Sequence, residues 1–201
     1  GRHVLRHDGR VRAPLGYAGA FLTNLASRRA MGGWLERAVF SSHLADAAAL
    51  PFAAHDYRTR RYALTAQNFE PVVQASCSIP FVLDAVTDIP GAPPGAYWDG
   101  GITDYHLHLD YRRAVAESQA RGAVVLYPHF QRAVVPGWLD KSLRWRHHAS
   151  RFLDDVIVLA PDGAWVARLP NGKLPDRTDF ARYGTDLAAR VAVWRRAVAE
   201  S

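Results

Sequence analysis

Short apolar runs that alternate with segments of helical pattern are the feature that most limits the fold of this chain. Ala123 to Tyr127 and Val156 to Ala160 each have the length and composition of a buried strand. Asp110 to Arg121 and Phe180 to Ala199 carry helical patterns. Strands that alternate with helices indicate an α/β fold. We therefore expect a layered sheet flanked by helices, in a single domain that spans residues 1–201.

Local patterns also predict where the remaining elements lie. Leu22, Leu25, Trp34, Leu35 and Val39 are the expected core residues of the helical pieces near the beginning of the chain. Asn68 is the expected N-cap of a helix that Pro80 stops. We expect helices over 19–40 with a break at Gly32-Gly33, over 45–50, 69–78, 110–121, 138–152 and 180–199, and strands over 3–6, 58–65, 81–86, 123–127 and 156–160.

Composition excludes several classes of protein. Apolar residues make up 49% of the chain and charged residues 22%, which is typical of a globular protein rather than a disordered one. No apolar run approaches the roughly 20 residues that a membrane-spanning helix needs. Cys77 is the only cysteine, so the fold contains no internal disulfide, which is compatible with the cytoplasm.

The net charge of +6 favours acidic partners such as phospholipid headgroups. However, all basic residues except Lys141 and Lys173 are arginines, a bias that a GC-rich bacterial genome also explains. The sequence carries no helix-turn-helix, zinc-finger or RNA-binding signature, so we expect no nucleic-acid partner.

Two linked motifs lie between Gln74 and Asp104. The first is Ala75-Ser76, followed by Ile79-Pro80 and an apolar run. The second is Tyr97-Trp98 followed by Asp99-Gly100-Gly101, after a loop rich in proline and glycine. In this order and spacing the two motifs resemble the patatin-like phospholipase family, whose members carry an A-S-x-x-x-P segment and then an aromatic residue with D-G-G or D-G-A. The resemblance covers about a sixth of the chain.

The resemblance implies a patatin-like fold and a lipid acyl-ester hydrolase, of phospholipase A or lysophospholipase type, that uses a Ser-Asp dyad without histidine, metal or cofactor. Asp99 then stands in the position of the catalytic base, and Gly100 and Gly101 shape the turn that holds it. An aspartate with an ordinary pKa of about 4 is a weak base. It can take a serine proton only when it is held within hydrogen-bond reach of the hydroxyl.

The serine that the resemblance requires does not occur in this sequence. The family places it in a G-x-S-x-G turn upstream of the A-S-x-x-x-P segment, and neither Ser27 nor Ser42 has flanking glycines. We therefore expect the nucleophile to lie outside these residues and the domain to be incomplete and inactive alone. Its unpaired sheet edges would then be covered by the missing part or by a second copy of the chain. A catalytically inactive module that binds lipid surfaces or a partner protein is the alternative.

Other residues suggest different chemistry less strongly. Ser76 and Ser78 are expected to bond to the backbone at a helix end, with Cys77 buried between them. His106 and His108 would share one strand face with Asp104 and Asp110, so a metal site is an alternative to a plain polar face.

The basic stretch 144–148 could touch a membrane, although a solvated helix is the favoured interpretation. The expected partner is a phospholipid or another acyl ester, and the expected location is the cytoplasm or the membrane periphery.

Overall fold

The computed structural model describes residues 1–4, 11–42, 50–53, 56, 58–117 and 122–200. The chain forms two compact units, the first comprising Gly1–Val125 and Ala133–Ile157, and the second comprising Leu126–Arg132 and Val158–Ser201. The fold is mixed α/β, with a mixed sheet flanked by helices. The predicted α/β class and the flanked sheet are thus confirmed.

A five-stranded sheet organises the first unit. Its strands are β1 (Arg2–His3), β2 (Leu35–Ser41), β3 (Thr59–Ala63), β4 (Val86–Thr87) and β5 (Ala96–Tyr97), in the spatial order β3-β2-β1-β5-β4. β2 and β3 are parallel, and the other neighbouring strands are antiparallel. In the central strand, Arg2 lies opposite Glu36 on one side and Tyr97 on the other. This register places the end of β5 beside the middle of the sheet.

Helices and helical turns complete the first unit. The helices are α1 (Arg12–Ala26), α2 (Arg28–Met31), α3 (Phe69–Cys77), α4 (Gly101–Asp104) and α5 (Arg112–Glu117). Single turns of 3-10 helix occur at Trp138–Asp140, Arg144–Arg146 and Arg151–Leu153. The larger core cluster joins α1, β2, β5 and α4 through buried residues that include Tyr17, Leu35, Trp98 and Ile102. Burial of such apolar side chains stabilises the fold by about 1.5–3 kcal/mol for each fully buried large residue.

The C-terminal part of the chain contains a two-stranded sheet and three helices. The sheet pairs β6 (Val125–Pro128) with β7 (Val156–Leu159), and the helices are α6 (Gly163–Arg168), α7 (Thr178–Tyr183) and α8 (Leu187–Ala199). A turn of 3-10 helix lies at Pro170–Gly172. The single helix predicted over 180–199 is wrong, because Gly184 has a φ of 52° and separates α7 from α8. The prediction that both strands are buried is also wrong, since Leu126 and Leu159 are 61% and 60% exposed.

Two predictions for the beginning of the chain are wrong. Residues 35–41 form the strand β2 rather than a helix, because they pair with β1 on one side and β3 on the other. Leu22 and Leu25 are 64% and 42% exposed, although the sequence places them in the core. α1 instead buries a face made of small residues and polar groups, namely Ala13, Gly16, Tyr17, Ala20 and Asn24.

Three further predictions are also wrong. Residues 138–152 form separate 3-10 turns rather than one helix, since the side chains of Asp140 and Arg146 bond to Asn24 of α1. The predicted strand over 81–86 is largely a turn, with Phe81 at a φ of 66°. Cys77 is exposed rather than buried. Residues 45–49 of the predicted helix over 45–50, and residues 5 and 6 of the predicted strand over 3–6, lie outside the described residues.

Candidate active site

The two motifs between residues 74 and 104 meet through one backbone hydrogen bond. α3 ends at Cys77, and the carbonyl of Ser78 accepts a hydrogen bond of 2.9 Å from the N–H of Asp99. The Ser78 hydroxyl donates to the carbonyl of Gln74 at 2.9 Å, which closes the last turn of the helix. The A-S-x-x-x-P segment and the D-G-G turn are therefore adjacent in space, held by main-chain contacts that do not depend on side-chain rotamers.

The carboxylate of Asp99 is held by the turn that follows it. The N–H of Gly101 donates to Asp99 Oδ1 at 2.6 Å, at the point where α4 begins. A Cβ on residue 101 would lie 2.8 Å from the same oxygen, closer than real Cβ contacts allow. A Cβ on residue 100 would find Ser76 Oγ as its nearest neighbour, at 3.9 Å. The close approach therefore requires a glycine at 101, whereas the turn has room for a side chain at 100.

The two oxygens of Asp99 have different surroundings. The side chain is half-buried, and no arginine, lysine or histidine in the described part of the chain forms an ion pair with it. Oδ1 accepts the Gly101 hydrogen bond, whereas Oδ2 accepts none from the described residues. One oxygen therefore fixes the orientation of the carboxylate, and the other is available to accept a proton.

Asp99 opens onto a cavity of about 540 Å³ within the first unit. Gly100, Gly101 and Ser76 line the same cavity. Most of the wall is apolar and comes from β2, α3, β5 and the segment after α4, through residues that include Phe40, Val72, Ile89, Tyr97, Leu107 and Leu109. An apolar cavity of this size with a few polar groups is typical of a small-molecule site.

Arg37 and Asp104, which line the cavity, belong to a network of ion pairs. Arg37 of β2, with a side chain only 5% exposed, bonds to Asp104 at 2.7 and 2.5 Å and to Asp56 at 2.7 and 3.0 Å. Burial opposes ionisation of Asp56, but hydrogen bonding and attraction to Arg37 outweigh it and lower the pKa of Asp56. Asp56 and Asp104 are thus both paired with Arg37, whereas Asp99 forms no ion pair with it.

The structure does not bring the residues of the alternative metal site together. His106 is buried, and its Nδ1 accepts a hydrogen bond from the N–H of Val135 at 2.9 Å. His108 Nε2 lies 2.9 Å from the hydroxyl of Ser150, and Asp110 pairs with Arg112. No group of three or more potential metal ligands occurs among the residues that the structure describes.

The serines near the motifs lie in different environments. Ser78 bonds to the backbone, as the sequence predicts. Ser76 is exposed on the cavity wall, and its hydroxyl makes no hydrogen bond within the described residues. Ser27 caps α2 by accepting a hydrogen bond from the N–H of Arg29 at 3.0 Å. None of the three is hydrogen-bonded to a side chain that could act as a base.

Arg37 is the site residue that sequence reasoning missed. It lies in β2, a segment predicted to be helical, and the helical pattern does not place its side chain in a site. A strand assignment would have placed a charged side chain between apolar neighbours, and such a residue is seldom buried without a partner. Its partners Asp56 and Asp104 are distant in sequence, so only the fold reveals the network.

Comparisons of the chain with protein-family models, with curated proteins and with solved structures find no match. Within the described ranges, none of the helices combines the length and apolar character needed to cross a membrane.

Proposed function

We propose that the chain supplies the catalytic base and part of the acyl-binding cavity of a serine ester hydrolase of patatin type that acts on phospholipids or related acyl esters. The observation that carries the proposal is the position of Asp99. Its carboxylate stands at the wall of an apolar cavity, with Oδ1 anchored by the Gly101 N–H and no ion pair to the described residues. A base needs this combination of fixed orientation and an accessible lone pair.

In the proposed reaction Asp99 Oδ2 takes the proton of a serine hydroxyl as the serine oxygen bonds to the ester carbonyl carbon. The carbon–oxygen bond of the leaving alcohol then breaks, and the alcohol leaves with the proton from Asp99. Water releases the acyl group in a second step that uses the same carboxylate as base. The serine comes from polypeptide outside these 201 residues, because the sequence contains no G-x-S-x-G turn.

The cavity wall suits the acyl part of such a substrate. The side chains of Val72, Ile89 and Leu109 offer apolar contact, and each buried CH₂ group of a substrate chain would contribute about 0.8 kcal/mol of binding free energy. Arg37 is already paired with Asp56 and Asp104, so its guanidinium group is not available as a strong headgroup ligand. We therefore expect this cavity to select its substrates by their acyl chain rather than by their headgroup.

The test uses the gene product that carries the serine, with 4-nitrophenyl and lysophospholipid esters as substrates. Asp99→Asn keeps an oxygen that can accept the Gly101 hydrogen bond but removes the base. The expected result is a loss of about 10²- to 10⁴-fold in kcat, the usual contribution of a general base, with little change in the unfolding midpoint. Asp84→Asn, an exposed aspartate outside the cavity, is the matched control and should keep full activity. Near-normal turnover by Asp99→Asn would reject the proposal.

The alternative is a catalytically inactive module that binds lipid surfaces or a partner protein. It is favoured by a run of exposed apolar side chains directly after Ser78, where Ile79, Phe81, Val82 and Leu83 are between 43% and 72% exposed. Exposed apolar clusters of this kind mark interaction surfaces. Binding to anionic vesicles by a gene product that shows no ester hydrolysis at all would favour this alternative.

A further inference from the structure

α1 carries an apolar stripe on the face that points away from the core. The helix and its N-cap expose Val11, Leu15, Ala18, Leu22 and Leu25 on this face, and the four larger side chains are between 42% and 70% exposed. These positions follow one another at intervals of four and three residues, so they lie on one side of the helix. We call these five residues the outer stripe of α1.

The opposite face of α1 is fixed against the core, so the outer stripe cannot turn inward. A Cβ on residue 19 would lie 2.6 Å from the ring of Trp34, because the small residues of the buried face pack closely. Asn24 donates to Asp140 at 2.8 Å, and the Thr23 hydroxyl donates to the carbonyl of Gly19 at 2.9 Å. These polar side chains are thus bonded within the protein, and neither belongs to the outer stripe.

The outer stripe lacks the charged side chains that usually face solvent. A surface helix normally presents charged and polar residues on the side opposite to its buried face. Residues 13–27, which include all but the first turn of α1, contain no charged residue. Clustered apolar side chains on a protein surface mark a site of interaction. The outer stripe is therefore a contact surface rather than a solvated face.

Both ends of the outer stripe are basic. Residues 9–35 contain four arginines and no acidic residue. Arg12 begins α1, and Arg29 lies three residues after its end; both are exposed, and neither forms an ion pair with the residues that the structure describes. Leucines flanked by arginines suit a membrane surface with anionic headgroups, because leucine enters the acyl region and arginine contacts phosphate.

A second copy of the chain fits the outer stripe less well than a membrane does. A two-fold dimer that overlays the two stripes along their length brings arginine against arginine, and residues 9–35 offer no carboxylate to separate them. Fifteen residues of helix are about 22 Å long, so a stripe about 10 Å wide covers roughly 220 Å². A stable interface needs about 800 Å² on each partner. Charge and area therefore both favour the membrane.

α1 is linked to the candidate active site by direct contacts. The ring of Phe81 lies 5.2 Å from the ring of Tyr17 of α1, measured between centroids. Phe81 belongs to the exposed apolar segment that follows Ser78, and the Ser78 carbonyl accepts the hydrogen bond from the N–H of Asp99. A membrane that binds α1 is thus held near the residue that we assign as the base.

We propose that the outer stripe of α1 enters the surface of a membrane that carries anionic headgroups, while Arg12 and Arg29 contact the headgroup phosphates. The inference deepens the proposed function, on which it rests for the nature of the substrate, because it names the surface through which the chain reaches its lipid. Binding to the membrane itself requires neither Asp99 nor a serine, so the two proposals can fail separately.

The test measures binding of the full-length gene product to vesicles of ether-linked phosphatidylcholine and phosphatidylglycerol in equal parts, which an ester hydrolase cannot degrade. Leu15→Gln combined with Leu22→Gln should lower the partition coefficient by about 10²-fold, since each leucine withdrawn from the lipid costs about tenfold or more. Leu187→Gln combined with Val198→Gln, which changes exposed apolar residues of α8, is the matched control and should bind as the wild type does. Absence of binding by the wild type, or equal binding by the Leu15 and Leu22 variant, would overturn the proposal.

The charge part of the proposal has its own test. Arg12→Gln and Arg29→Gln should each weaken binding to these vesicles by about fivefold and leave binding to pure ether-linked phosphatidylcholine unchanged. Higher salt should weaken binding of the wild type to the anionic vesicles. Equal effects on the two kinds of vesicle would overturn the assignment of the arginines to headgroup phosphates.

A fluorescent label shows whether the outer stripe itself meets the lipid. In a Cys77→Ser background, an environment-sensitive dye on Leu22→Cys should shift its emission to the blue when vesicles are added, and the same dye on Leu187→Cys should not. A blue-shifted dye at position 22 before lipid is added would overturn the proposal in favour of a protein occupant. Sedimentation of a lipid-free dimer that Leu15→Gln with Leu22→Gln dissociates would identify that occupant as a second copy.

Esterase assays separate this proposal from the one that concerns Asp99. The Leu15 and Leu22 variant should hydrolyse phospholipid vesicles more slowly than the wild type but turn over a soluble 4-nitrophenyl ester at the wild-type rate. Slower turnover of the soluble ester would overturn the assignment of the outer stripe to membrane binding alone. Normal turnover by Asp99→Asn would reject the assignment of the base and leave the binding results in place.

Discussion

Replacing Gly101 by alanine tests whether the turn holds the Asp99 carboxylate as the structure indicates. The added Cβ would lie 2.8 Å from Asp99 Oδ1 and 3.3 Å from Tyr105 Cδ2. The carboxylate must therefore move, and the 2.6 Å hydrogen bond from the Gly101 N–H is lost or lengthened. A hydrogen bond to a charged group is worth about 1.5–3 kcal/mol. Alanine recovers up to about 1 kcal/mol through its better helix propensity. The expected net loss in the free energy of unfolding is about 0.5–3 kcal/mol.

The neighbouring glycine provides the control for this prediction. Gly100 has φ and ψ of −63° and −28°, which suit alanine, and its added Cβ would meet only Ser76 Oγ at 3.9 Å. Gly100→Ala should therefore be neutral or slightly stabilising in urea denaturation. In an Asp99→Ala background the penalty of Gly101→Ala should largely disappear, because the clashing carboxylate is absent. If Gly101→Ala is as stable as Gly100→Ala, or equally harmful without Asp99, the turn does not position the carboxylate in this way.

Three further predictions concern other parts of the chain. Asp140→Ala should lower the free energy of unfolding, measured in urea, by about 3–5 kcal/mol, because it removes the buried carboxylate that pairs with Arg28 and Arg146. Asp84→Ala, which removes an exposed carboxylate, should change this free energy little. Burial is the main cause that lowers the pKa of His108, and the positive charges of Arg28 and His148 lower it further. His108 therefore binds a proton more readily in the unfolded chain than in the folded one. Stability should therefore fall as the pH drops below about 6.5, and His108→Gln should show a smaller loss between pH 8 and 5.5 in urea titrations. Gly184→Ala should destabilise the chain by about 1–3 kcal/mol, since its φ of 52° and ψ of −121° lie in a sparsely populated region. Gly163→Ala, where the added Cβ has no neighbour within 4 Å, should be neutral in the same measurement.

The sequence predicts best those elements whose causes are local. The helix from Asn68, the strand over 58–65 and the D-G-G turn each depend on residues within a few positions of one another, and the structure contains all three. Asn68 lies at the expected N-cap position, but its side chain bonds to the carbonyls of Ala63 and Pro90 rather than to the helix. Even a correctly placed element can therefore use its polar groups for tertiary contacts.

The sequence fails where distant residues decide the structure. β2 is a strand because β1 and β3 flank it, and its own pattern did not reveal these partners. The turns over 138–153 replace a helix because Asp140 and Arg146 bond to α1, more than 100 residues earlier in the chain. For the same reason the Arg37 network and the Ser150–His108 pair could not be predicted from spacing.

The central claim is that Asp99 activates a serine, and covalent labelling tests it most directly. A fluorophosphonate probe reacts with a serine oxygen only as fast as that serine is activated by its base. The gene product that carries the serine should label at one serine outside residues 1–201, and Asp99→Asn should slow this labelling by about 10²-fold or more. Labelling of that serine at the same rate in the wild type and in Asp99→Asn would contradict the account.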